Sequence, residues 1–167
     1  PSVTWFKGAP NYNYVVNLGN TSTWRDTPLN GVDFKAGPFF NQNGSPASGI
    51  PATNISEIRD GTTNTLMVSE VRQGRNDGDL RGLTWWGPAS GFSAHNGPNT
   101  AVPDYLDGGW CPTESHTLDG WACQPATSAN PVTFNARSWH PGGVLAVLCD
   151  GSVHFFSDSI SLDTWRA

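Results

Sequence analysis

Charged residues are scarce in this 167-residue sequence: Asp, Glu, Lys and Arg make up 14% of it, and the formal net charge is −5. The nine Lys and Arg residues are scattered along the chain and form no basic stripe, so the sequence predicts no nucleic-acid partner. No apolar segment approaches the length of a membrane span, and we expect no membrane contact by this chain.

Cysteine is also scarce, because the sequence has three cysteines and no CxxC pair, which excludes the common structural zinc patterns. We predict a disulfide between Cys111 and Cys123, which lie twelve positions apart around a Gly-containing stretch. Cys149 falls within an apolar run and is predicted to be a small buried side chain of a core strand. One disulfide and one buried thiol are compatible with export to an oxidising compartment.

Glycine (19 residues) and proline (13 residues) are abundant, as are Asn, Ser and Thr. This composition favours long ordered loops around short strands over a helical fold. The length fits one domain, residues 1–167. We predict an α+β or mainly β fold, in which an antiparallel sheet carries a C-terminal β-hairpin and long loops.

The last thirty residues, "SWHPGGVLAVLCDGSVHFFSDSISLDTWRA", predict that hairpin. The apolar runs 144–149 and 153–156 flank Asp150-Gly151, a pair typical of a tight hairpin turn with Gly151 at positive φ. Both faces of the first run are apolar, which predicts a strand covered on both sides. Residues 65–72 are predicted to add a second strand to the sheet. Ser161 is predicted to cap a final helical turn that ends at Trp165.

Two segments have no regular pattern. Residues 74–135 are predicted to be a loop-rich insertion, functional or tied by the disulfide, and they contain four tryptophans: Trp85, Trp86, Trp110 and Trp121. Residues 19–38 are polar and rich in Gly and Pro, and they are predicted to form an extended surface loop.

Nine residues separate His140 from Asp150-Gly151, and "HPGGVLAVLCDGSVHFFSDSI" resembles the C-terminal signature of the prepilin-type processing-associated H-X9-DG domain family. The segments "NYVVNLGN", "GPFF", "ISEIRDGTTNTLMVSEV" and "WWGP" are similar to that family and follow in its order. The resemblance assigns motif positions to these residues: Asp60, Gly61, Asn64, Thr65, Glu70, His140, Gly142, Gly143, Asp150, Gly151 and Ser152.

The resemblance implies an exported bacterial protein, extracellular or on the cell surface, similar to pilins and type II secretion pseudopilins. It implies a structural subunit that assembles with copies of itself into a filament, and not an enzyme. The family's N-terminal methylation motif and long apolar helix do not occur in this sequence, so we expect a pilin-like globular domain without that helix, either processed or assembling without it. Such a subunit is expected to associate mainly through residues 74–135, in a heterologous arrangement that propagates as a fibre.

His140 has two interpretations. It could act as a base or a metal ligand, but no Ser or Cys nucleophile stands beside it in a recognisable signature. Alternatively, it holds the chain where Pro141-Gly142-Gly143 turns into the strand, with its ring bonded to neighbouring backbone. We favour the structural interpretation.

Calcium is the one cofactor for which the sequence offers candidate ligands. Asp77 and Asp79 flank Gly78, a spacing that can turn two carboxylates toward one hard cation, although no complete EF-hand pattern is present. The alternative is a solvated turn, in which each carboxylate binds nearby backbone.

Two further patterns concern sugars. Asn20, Asn43 and Asn54 begin acceptor sequons for N-glycosylation, which we take as weak marks of exposed loops. The eight tryptophans allow a second function, a carbohydrate-binding module that grips a polysaccharide through exposed indole rings. Trp139 and Trp165, beside the hairpin, are instead predicted to lie in the core.

Overall fold

A computed structural model describes residues 10–23, 27–39, 54–74, 78–83, 87–113 and 122–167. The strands are β1 (Tyr14–Asn17), β2 (Leu66–Glu70), β3 (Gly91–Phe92), β4 (Asp104–Leu106), β5 (Cys123–Pro125), β6 (Gly143–Leu148) and β7 (Val153–Ser157). Short 3-10 helices span Ile55–Glu57 and Gly87–Ser90, and helix α1 spans Leu162–Trp165. No helix within these ranges is long and apolar enough to cross a membrane.

Five strands form one mixed sheet in the order β3-β1-β2-β6-β7. The pairs β1-β2, β2-β6 and β6-β7 are antiparallel, whereas the two-residue β3 runs parallel to β1. The predicted fold class, α+β or mainly β with an antiparallel sheet, a C-terminal hairpin and long loops, is therefore confirmed. The predicted helical cap is also present, because the Ser161 hydroxyl accepts a hydrogen bond from the Thr164 N–H.

The inner face of the sheet carries the main hydrophobic core. Val15, Val144 and Ala146 pack there with Phe92 and Trp165, all at most 3% exposed. The pairing of β2 with β6 shifts register between Leu66 and Val68. Because such a shift reverses which residues face inward, Leu66 and Val71 both reach the core, although strict alternation would put them on opposite faces.

The C-terminal hairpin differs from its prediction in two ways. Its turn has three residues, because the Gly151 N–H donates to the Leu148 carbonyl and the Leu148 N–H donates to the Ser152 carbonyl. Gly151 has φ +85°, as predicted, in the position that follows a type I turn. The first strand was predicted to be covered on both sides, but Leu145 and Val147 on the outer face of β6 are only half-buried. The second strand, β7, is an edge strand whose Val153 and Phe155 are 61% and 53% exposed. Cys149 lies after β6 and is half-buried, so the prediction that it is a buried residue of a core strand is also wrong.

The described parts of the segment 74–135 have more structure than the sequence suggests. Strands β4 and β5 pair in parallel, and the predicted disulfide joins Cys111 to Cys123. Around it lies a second hydrophobic cluster that includes Leu83, Leu106 and Phe134. The disulfide and this cluster give the irregular chain a core of its own.

Four buried charged side chains connect this second cluster to the sheet: Asp79, Arg81, Asp104 and Arg137, each at most 3% exposed. Arg81 lies 2.6 Å from the Asp79 carboxylate and 3.1 Å from Asp104, and Arg137 lies 3.3 Å from the other oxygen of Asp104. Burial alone would lower the pKa of Arg81, but hydrogen bonds to Asp79 and the charges of both carboxylates raise it. The group has two positive and two negative charges, so it is neutral overall.

We expect Asp104→Asn to reduce the free energy of unfolding by about 3–5 kcal/mol, because it leaves two buried arginines with one carboxylate. Urea denaturation measures the change. Asp107→Asn is the matched control: Asp107 is exposed and three positions away, and its replacement should change stability by less than about 0.5 kcal/mol. Equal effects of the two substitutions would contradict a central role for Asp104.

Candidate functional site

The residues assigned by the H-X9-DG resemblance gather at the two ends of β2 and β6. At one end, the turn that begins at Asp60-Gly61 lies beside the hairpin turn, because the Asp150 N–H donates to the Thr62 carbonyl and the Cys149 N–H to the Thr65 carbonyl. The Thr65 hydroxyl and the Asn64 amide bond back to the carbonyls of Gly61 and Asp60.

Within the hairpin turn, the Asp150 carboxylate accepts hydrogen bonds from the N–H and the hydroxyl of Ser152, at 2.8 and 2.6 Å. These bonds lower the pKa of Asp150. The motif residues at this end therefore hold two turns in contact, and the side chains of Asn64, Thr65, Asp150 and Ser152 form hydrogen bonds within the turns.

At the other end, Glu70 binds three groups. One carboxylate oxygen lies 3.2 Å from the Tyr14 hydroxyl and 3.2 Å from Nε2 of His140. The other accepts the backbone N–H of Leu145 at 2.7 Å. Glu70 is 8% exposed and takes the place of a backbone acceptor where the β2-β6 ladder ends. Partial burial, together with the charge and hydrogen bond of Glu70, raises the pKa of Tyr14.

His140 precedes a tight turn on the same side. Its N–H donates to the Ser138 hydroxyl, and that hydroxyl also bonds to the Gly143 carbonyl. Gly142 has φ +81°, and a Cβ on Gly143 would collide with the Phe156 carbonyl, so both glycines are required for the entry into β6. The His140 ring contacts a carboxylate rather than backbone, and its side chain is 50% exposed instead of buried.

A cleft of about 330 Å³ opens beside this pair. It is lined by polar and aromatic side chains, among them Asn13, Glu70, Arg72, Gln73, Trp139 and His140. Arg72 stacks 4.0 Å above the ring of Trp139, and its guanidinium donates to the Ser138 carbonyl. Burial and the charges of Arg137 and Arg81 lower the pKa of Arg72.

This arrangement is better suited to binding than to nucleophilic catalysis. Ser138, the hydroxyl nearest to His140 in sequence, is buried and already bonded to Gly143 and the His140 N–H. An exposed aromatic face among carboxylate, amide and imidazole groups can stack on a ring and bind hydroxyl groups. The cleft volume lies at the lower end of the range of small-molecule sites, about 300–1,000 Å³.

Sequence reasoning identified Glu70 and His140 but missed the rest of the cleft. Trp139 is 72% exposed, so its predicted place in the core is wrong, whereas Trp165 is 1% exposed as predicted. The position of Trp139 directly before "HPGG" could have indicated this exposure, because a side chain entering a turn need not point inward. Trp110 is half-buried, and Trp85, Trp86 and Trp121 lie outside the described residues.

The candidate calcium ligands are not seen together. Both carboxylate oxygens of Asp79 contact the Arg81 guanidinium, at 2.6 and 2.9 Å, and Asp79 is buried rather than part of a solvated turn. Asp77 lies outside the described residues, so calcium at this loop stays a prediction. Within the described ranges, no three His, Cys, Asp or Glu side chains meet as a metal cluster.

The three sequons have different surroundings. Asn20 is 5% exposed, and its side chain accepts the Lys35 N–H and contacts the Arg166 carbonyl, so it is not an exposed acceptor. Residues 19–23 are buried, which corrects the predicted surface loop in this part. Asn54 is exposed, so its glycosylation stays a prediction. Asn43 lies outside the described residues.

The comparisons with known proteins give one family. The sequence model of the family described as "Protein of unknown function (DUF1559)" matches residues 6–163. The chain belongs to this family. DUF1559 is associated with prepilin- and pseudopilin-like proteins. Neither the curated proteins nor the solved structures include a significant match to this DUF1559 member.

We expect Glu70→Ala to destabilise this DUF1559 protein by about 1–3 kcal/mol, because the Leu145 N–H would lose its acceptor. His140→Ala should cost less than about 1 kcal/mol, since the imidazole is half-exposed. Chemical denaturation of the two variants measures the difference. A larger loss for His140→Ala would show that the imidazole, rather than the carboxylate, holds this end of the sheet.

Proposed function

We propose that this protein is a structural subunit of a bacterial extracellular filament or surface assembly, pilin- or pseudopilin-like, and a member of the H-X9-DG group within its family. In this proposal it is not an enzyme, it is exported, and its partners are copies of itself. The finer assignment rests on His140 and Asp150-Gly151 at their nine-residue separation.

The observation that carries the proposal is how the motif residues are used. The Glu70 carboxylate accepts the Leu145 N–H at the end of the β2-β6 ladder, and Gly143 allows the backbone of β7 to approach closely. Asp150 accepts hydrogen bonds from Ser152 within its turn. These residues hold the fold together, which fits a subunit that acts through the surface contacts of a stable domain. The Cys111–Cys123 disulfide supports export, because disulfides persist in oxidising compartments.

The role is tested on the native bacterium. Cells are sheared, and the sheared fraction is sedimented and viewed by electron microscopy with gold-labelled antibody against this chain. We expect the label on filaments or on a surface layer, in material that pellets as polymer. Label confined to the cytoplasm, or a soluble monomer as the sole external form, would contradict the role.

A second function, from another class, has an observation in its favour. Trp139 is 72% exposed at the cleft, with Asn13, Gln73 and Glu70 nearby, which is the combination of ring and hydrogen-bonding groups that sugars bind. A polysaccharide of the cell surface is the ligand class we would assign to this carbohydrate-binding function.

The carbohydrate-binding function is tested by titrating polysaccharides into the purified protein and following tryptophan fluorescence. We expect the emission to shift, and Trp139→Ala to abolish the shift while melting at nearly the same temperature, because the side chain is exposed. Leu162→Ala is the control, since it removes an exposed apolar group away from the cleft. An unchanged spectrum with every sugar, or an equal response of Trp139→Ala, would argue against carbohydrate binding.

A further inference from the structure

The outer face of the sheet carries a row of valines. Val16 lies opposite Val68 across β1 and β2, Val68 opposite Val147, and Val147 opposite Val153. Directly opposite residues share a face and are in contact range, so the row is continuous across four strands. The first three valines are half-buried, and Val153 at the edge is 61% exposed.

Strand β7 ends this row as the edge of the sheet. The Leu148 N–H bonds to the Ser152 carbonyl, and the Asp158 N–H bonds to the Gly142 carbonyl. Hydrogen-bonded pairs alternate with non-bonded pairs in an antiparallel ladder, so Val153, Phe155 and Ser157 belong to the non-bonded set. Their backbone N–H and C=O groups therefore point away from β6, toward the edge on which none of the described strands pairs with β7.

The edge lacks the usual protection against pairing. Exposed edge strands of monomers commonly carry Lys, Pro or a bulge. The sequence of β7 is VHFFS, which has no lysine, no proline and no carboxylate, and its register with β6 is regular over all five residues. Val153 and Phe155 are among the exposed large hydrophobic residues of the described chain.

We propose that β7 is an interface for a second copy of this chain, in which the two edge strands pair antiparallel about a two-fold axis at Phe155. In that register Phe155 lies opposite Phe155 of the second copy, and Val153 lies opposite Ser157. The backbone N–H and C=O groups of all three residues point toward the edge of the sheet. The groups of one copy can therefore form hydrogen bonds with those of the other. One edge thus complements itself, as an isologous contact requires.

The charges next to the strand permit this register. Asp150 would lie opposite Ile160, and Asp158 opposite Ser152, so no carboxylate faces another. The valine rows of the two copies would lie in one continuous ten-stranded sheet. The edge is short compared with a standard interface, which buries about 1,600 Å² in total, so we expect the pair to form at high concentration or within an assembly.

This inference rests on the proposed function for its biological use, because a subunit needs self-contacts. One isologous contact closes a dimer, and a filament needs a second, different contact, for which residues 74–135 remain the prediction. The pairing is tested on the purified chain and the role on cells, so either can fail without the other.

The register is tested by single cysteines in a Cys149→Ser background, under mild oxidation. Phe155→Cys should form disulfide-linked dimers, since opposite residues of a hydrogen-bonded pair have Cα atoms about 5.5 Å apart. Val153→Cys alone should not, because its counterpart lies four residues away along the strand, or roughly 14 Å. A mixture of Val153→Cys and Ser157→Cys chains should cross-link to each other. Equal cross-linking of the Phe155→Cys and Val153→Cys chains alone would overturn the proposal.

Sedimentation of chains without added cysteine tests the contact itself. The unsubstituted protein should show a concentration-dependent dimer, and Val153→Lys should raise its dissociation constant at least tenfold by placing a charge on the edge. Val102→Lys is the matched control, because Val102 is an exposed valine in the chain before β4, and it should leave association unchanged. A protein that stays monomeric at every concentration, or equal loss of association in both lysine variants, would overturn the proposal.

Discussion

The buried carboxylate of Asp104 is the constraint on which the rest of the molecule depends. It forms ion pairs with Arg81 and Arg137 and also accepts two hydrogen bonds from Asn135. These residues come from three separate parts of the chain, so the network fixes segments that have little periodicity of their own. Because buried charges are tolerated when paired and hydrogen-bonded, the irregular segment can take few other arrangements without leaving an arginine uncompensated.

The network also sets the position of the cleft. The Arg137 N–H donates to the Glu70 carbonyl, while the Glu70 side chain binds Tyr14, His140 and the Leu145 N–H. Backbone and side chain of Glu70 thus connect the buried charges, the end of the sheet and the polar wall of the cleft. His140 supports the fold through its contact with the Glu70 carboxylate. This contact explains why the ring can be half-exposed and still have a structural role.

Much of the fold could be predicted from local sequence. The hairpin, the positive φ of Gly151, the final helical turn capped by Ser161 and the Cys111–Cys123 disulfide all depend on residues close together in the chain. Glu70 and His140 were identified separately, but their contact joins residues seventy positions apart. No local pattern could predict that pairing, nor the register shift that sends both Leu66 and Val71 inward.

The sequence by itself determined the fold class, the position of the hairpin turn and the helix cap, because these follow from backbone preferences and composition. Only the tertiary structure decided which side chains are buried. Asp79 and Asn20 have polar side chains typical of surface loops, yet both are buried because distant groups satisfy them. Trp139 is apolar enough for the core, yet it lies exposed beside Arg72. Burial depends on the partners that long-range packing supplies, and those partners are not encoded in neighbouring residues.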